Sequence, residues 1–184
     1  MSASILSNTG YCLTPETDCY TIALNKMANT PQHWMRQAID LAIQNVQSER
    51  GGPFGALVVK EGQLIATGAN CVTSSNDPTA HAEVVAIRNA CRALGAFQLS
   101  GCEIYTSCEP CPMCLGAIYW ARPERFYFAS SREDAATYGF DDAVIYDNLA
   151  RHPEERTISG HRLLREEGLV PFEHWMRSRA RIPY

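Results

Sequence analysis

Apolar positions along this chain recur at two spacings, and the switch between them sketches the architecture. From Pro31, the positions Trp34, Ala38, Leu41, Ala42 and Val46 follow the period of one helix face, and Gly51-Gly52-Pro53 ends that helix. Residues 54–60 and 63–70 then read as two strands joined at Glu61-Gly62 in a hairpin. Residues 73–77 are a polar loop. Asp77-Pro78 reads as the cap and first residue of a second helix, which runs to about Leu94 with Gly95 as its C-terminal stop. Its positions Ala82, Val85, Ala86 and Ala90 face the core.

Residues 103–107 form a third strand, feeding a helix that begins among Pro110 and Pro112 and continues to about Trp120. Residues 125–129 make a fourth strand. Ser131 caps a short helix that Gly139 stops. A fifth strand is expected over residues 157–164, and a last helix from Pro171 to about Arg179. A helix, a hairpin, then strands alternating with helices predict an α/β domain with a mixed sheet covered on both faces. Residues 1–30 lack sustained periodicity and read as a poorly ordered extension, with Met27 a candidate start and no role for Cys12 or Cys19.

Composition narrows the class. The 184 residues suggest one domain, 46% hydrophobic and 20% charged, enough for a real core. A net charge of -4 argues against a nucleic-acid surface, which is usually basic. Arg177, Arg179 and Arg181 form the one basic cluster, read as a solvated helix face. No long apolar run predicts a membrane span, and no secretory signal is visible at the start. Three of the eight cysteines cluster in one short motif, which fits a reduced cytoplasmic setting better than a disulfide scaffold.

That motif carries the chemistry. Pro110-Cys111-Pro112-Met113-Cys114 offers two thiols at i and i+3, on one side of a helix start. The positive end of a helix favours thiolate there. His81-Ala82-Glu83 offers an imidazole and a carboxylate near another helix start. His81, Cys111 and Cys114 make three zinc ligands with a fourth position open to water, and Glu83 is left to move protons. H-x-E followed by P-C-x-x-C is the zinc deaminase signature. A C-x-x-C pair alone also serves as a redox dithiol or half of a structural zinc site. Cys108 could close a structural site with the other three, but that would leave Glu83 unused.

With those residues in view, the chain resembles the cytidine deaminase superfamily, and within it the bacterial guanine deaminases. The match runs through Gly51-Gly52-Pro53-Phe54-Gly55-Ala56, Asn76 to Glu83, Tyr105 to Pro123, Gly139-Phe140-Asp141-Asp142, Glu154 to Ile158 and the final Tyr184. It covers roughly residues 31–184. The resemblance implies a three-layer α/β/α fold with five strands, one Zn2+ per subunit, and hydrolysis of guanine to xanthine and ammonia. It also implies that Phe54, Asn70, Trp120, Asp142 and Tyr184 line or cover a small purine base. From the residues alone, Phe54 and Trp120 read equally as core, Asn70 as a turn residue and Asp142 as a loop carboxylate or cap.

The resemblance further implies a homodimer that exchanges residues 171–184, so that Tyr184 closes the partner's site. Guanosine, cytosine and tRNA adenosine share the zinc motif and stand as alternative substrates. A zinc-stabilised binding module without turnover is the alternative of a different class.

Overall fold

In a computed structural model, which describes residues 30–184, strand β1 (Gly55–Lys60) sorts the core by its period-two alternation. Ala56 and Val58 pack against Ala82, Ala86 and Ala90 of helix α3 (Ala82–Leu94) and against Ile118 and Ala121 of helix α4 (Pro112–Ala121). Leu57 and Val59 face the other way, onto Trp34 and Ala38 of helix α1 (Pro31–Gln47). The molecule is therefore three layers, with α1 on one face of the sheet and α3 and α4 on the other. The expected extension, with Cys12 and Cys19, lies outside the described residues apart from Thr30, whose hydroxyl caps α1 by accepting from His33 N–H.

The sheet order is β2-β1-β3-β4, with β2 spanning Gln63–Ala69, β3 Cys102–Cys108 and β4 Arg125–Ser130. β1 pairs antiparallel with β2 and β3, while β3 and β4 run parallel around α4. Glu61 and Gly62, at φ 50° and 71°, make the hairpin turn whose two central residues both need positive φ. The mixed sheet and its two helical layers are as the pattern predicts.

Four details depart from the expectation. Among the described residues the sheet has four strands, not five, because residues 157–164 form no ladder and lie exposed. Helix α7 (Arg165–Arg177) starts well before Pro171, which sits inside it. Glu166 and Glu167 in its first turn suit the positive helix end, so charge, not proline, marks the start. Asp77 caps no helix. Its Oδ1 accepts from the N–H and hydroxyl of Thr79, closing a local turn, and α3 begins at Ala82 instead. Short helices α2 (Val72–Ser75) and α6 (Ala143–Leu149) occupy stretches too brief to show periodicity, as does a 3-10 turn at Pro153–Glu155. Helix α5 (Arg132–Thr137) has the expected Ser131 cap, as half of a capping box with Asp134. No helix among the described residues is long and apolar enough to cross a membrane.

Candidate active site

Two helix starts face each other at the C-terminal ends of β2 and β3, beside the start of β1. His81 is the N-cap residue of α3 and Cys111 that of α4, both in extended backbone. An N-cap side chain ordinarily accepts a hydrogen bond from its own first turn. Neither does so here. Both side chains turn instead toward one point. Cys111 Sγ lies 3.6 Å and Cys114 Sγ 3.5 Å from His81 Nδ1. Gly68 permits the approach: a Cβ there would meet the carbonyl oxygen of Ala82 at 2.2 Å, so the start of α3 rests directly on β2.

The donor atoms of His81, Cys111 and Cys114 all lie within 4.8 Å of one another. One imidazole nitrogen and two thiols at that separation fit a tetrahedral zinc with one position left over. The electrostatics agree. A hydrogen bond from Cys114, with those of His81 and the backbone, holds the Cys111 thiol down at about 4. Cys114, its partner in that bond and fully buried, is pushed up. His81 is raised, chiefly by its bond to Cys111.

Cys108 is not in that cluster. Its Sγ instead points to the carbonyl of Ser131 at 3.7 Å, and burial pushes its thiol up to about 11. The geometry is that of an open three-donor site rather than a closed four-donor one. Glu83, in the first turn of α3, is only 8% exposed, and burial raises its carboxyl. The positive charge of a bound metal opposes that shift.

A cavity of 440 Å³ opens over these groups, ample for a single flat heterocycle. Phe54, Asn70 and Asp142 line it together with His81, Glu83 and Cys111. The orientation of Asn70 is set by its neighbours: Oδ1 accepts from Gly52 N–H at 3.4 Å and Val72 N–H at 3.3 Å. That leaves Nδ2 as a donor toward the cavity. Asn45 Nδ2 anchors the same stretch by donating to the Asn70 carbonyl at 2.8 Å. Burial pushes the Asp142 carboxyl up, as does the nearby Cys111.

Trp120 and Tyr184 stand elsewhere. They are 65% and 70% exposed, line no part of this cavity, and pack against each other with ring centroids 5.9 Å apart. Phe140, Glu109, Arg132 and Ile145 line the cavity without having been singled out from the sequence. Phe140 meets Phe54 edge-on at 5.0 Å, so aromatic rings from two distant stretches form one apolar corner. Its signal in the sequence is its place beside Asp142 in Gly139-Phe140-Asp141-Asp142.

Residues 28–130 match the cytidine and deoxycytidylate deaminase zinc-binding region. The chain is 56% identical over 142 residues to a guanine deaminase of Bacillus subtilis, spanning 77% of this chain and 91% of that one. The solved structure of guanine deaminase from Bacillus subtilis superposes with a TM-score of 0.83 at 52% identity, covering 84% of this chain and 99% of that one. A tRNA-specific adenosine deaminase of Bacillus subtilis is 37% identical over 134 residues, 73% of this chain and 81% of the other.

Proposed function

Because the chain belongs to the zinc-binding cytidine and deoxycytidylate deaminase family, we propose that it hydrolyses guanine to xanthine and ammonia. The observation that carries this reading is the open His81–Cys111–Cys114 set beside a buried Glu83 that stands outside it, in a chain so close to a guanine deaminase over nearly the whole of that relative. The fold is the three-layer α/β arrangement of cytidine deaminase-like proteins, and the residues present fit one zinc per subunit.

Zinc held by the three side chains would lower the pKa of water in its open position to about 7. The protein supplies the rest. Phe54 and Phe140 offer an apolar corner to a flat ring, and Asn70 and Asp142 offer one donor and one acceptor to its polar edge. Guanine presents both acceptors, O6 and N7, and N–H donors, so the pair is complementary to it. Glu83 takes one proton from the attacking water and passes it to the ring nitrogen, then takes the second from the new C2 hydroxyl and passes it to the departing amine. C2 gains oxygen and loses nitrogen, and ammonia leaves.

We assign the C-terminal segment to a second copy. No residue of α7 is buried, and Phe172, Trp175 and Met176 stand 67%, 42% and 66% exposed. Each apolar side chain of that size gains roughly 1.5 to 3 kcal/mol when fully covered. A homodimer exchanging residues 171–184 covers them and brings Tyr184 to the partner's cavity as an aromatic lid that excludes water. The domain proper is then residues 31–184. A small base rather than a nucleic acid suits the net charge of -4. Six free thiols among the described residues suit the reducing cytoplasm.

The test is product identity. Zinc-loaded protein given guanine should yield xanthine and ammonia in equal amounts. Absence of xanthine with zinc bound would overturn the reading.

A further inference from the structure

Helices α5 and α6 form one wall of the cavity, yet neither contains a buried residue, so no apolar core holds them in place. Polar contacts fasten them to the loop that leads into the cysteines. The N–H of Arg132, the first residue of α5, donates to Glu109 Oε2 at 3.1 Å. Glu109 N–H donates to the Ser130 carbonyl at 2.8 Å. The Arg132 guanidinium lies over the ring of Tyr146 in α6, 4.7 Å from its centroid. The Tyr146 hydroxyl makes a long hydrogen bond, 3.5 Å, to the carbonyl of Pro110, immediately before Cys111.

This chain of contacts joins the two sides of the site. On one side stand His81, Glu83, Cys111 and Cys114, on helices packed into the core. On the other stand Phe140, Asp142 and Ile145, carried only by the segment that the contacts fasten. We propose that Glu109, Arg132 and Tyr146 form a latch that positions the base-binding wall against the metal loop. They are positioning residues: they set affinity for the base and leave the metal set and Glu83 undisturbed. The assignment rests on the reading of the cavity as the guanine site.

Four variants of the full-length, zinc-loaded protein test it. Tyr146→Leu removes the ring and hydroxyl, and Glu109→Ala removes the acceptor. Glu109→Gln keeps an acceptor oxygen for Arg132 N–H. All lie on exposed or half-exposed elements, and Tyr146→Phe, which deletes only the hydroxyl, serves if the leucine variant fails to fold. Expected for Tyr146→Leu and Glu109→Ala are unchanged zinc content and a KM for guanine raised about tenfold, with kcat within about threefold. Amide hydrogen exchange over residues 132–149 should quicken by about tenfold as well. Glu109→Gln should restore most of the KM, and Tyr146→Phe should fall between wild type and leucine. Unchanged KM and unchanged exchange would overturn the latch. Loss of zinc, or a fall in kcat at unchanged KM, would also overturn it by tying Glu109 to the metal loop. The exchange measurement needs no substrate, so a failure of the latch is distinguishable from a failure of guanine as substrate, which would show already in the unmodified protein.

Discussion

His81 Nδ1 and Cys114 Sγ lie 3.5 Å apart although 33 residues separate them in the chain. Strand β3 closes that gap, because it pairs with β1 and then delivers the chain to α4 at the same sheet end where α3 begins. A nitrogen and a sulfur at that separation can both bond one zinc ion.

The metal claim is therefore specific to three side chains. Cys111→Ser should lose zinc, and Cys108→Ser should retain one zinc per chain, since its sulfur points to Ser131. Elemental analysis of the two variants decides it, and loss of metal from Cys108→Ser would point to a closed structural site.

Glu83→Gln keeps the shape of the side chain and removes its ability to exchange protons. Zinc should stay while turnover falls by roughly 100-fold or more. A binding module with a structural metal would be indifferent to this change, so near wild-type ammonia release would remove Glu83 from the reaction.

Alkaline stability follows from the buried thiols. Burial pushes Cys108 up to about 11 from an ordinary 9.0, and Cys91 and Cys102 are raised in the same sense. The unfolded chain releases these protons first, so it binds fewer than the folded state and stability declines as pH rises through that window. Cys108→Ala should make the decline between about pH 9 and 11 shallower. Urea midpoints across that range measure it, and an unchanged slope would contradict the burial of this thiol.

The C-terminus gives a prediction about assembly. Deleting Pro183 and Tyr184 should leave zinc bound and the fold intact, yet lower guanine turnover by about tenfold or more if Tyr184 closes a partner's site. Sedimentation should give a dimer for the full chain. A truncated protein as active as the full one would reduce Tyr184 to a terminus resting on Trp120.

Much of this was legible in the sequence because it depends on local rules. Leu57 and Val59 against Ala56 and Val58 is a period-two statement, and Trp34 with Ala38 and Ala42 a helical one. Gly95 stops α3 at φ 62° because a left-handed cap favours glycine. His81, Glu83, Cys111 and Cys114 stood out by residue type and spacing. What was hidden depends on distance. Nothing local says that Phe140 meets Phe54, or that Arg132 lies over Tyr146. The fifth strand is likewise a matter of distance: residues 157–164 lie exposed and join no ladder among the described residues.

The central claim is that guanine is the substrate, and one measurement bears on it most directly: ammonia release by the zinc-loaded protein from guanine, guanosine, cytosine, cytidine and adenine side by side. Guanine should be the preferred substrate by a wide margin, with xanthine as the product. Activity confined to guanosine or cytidine, with none on guanine, would contradict it.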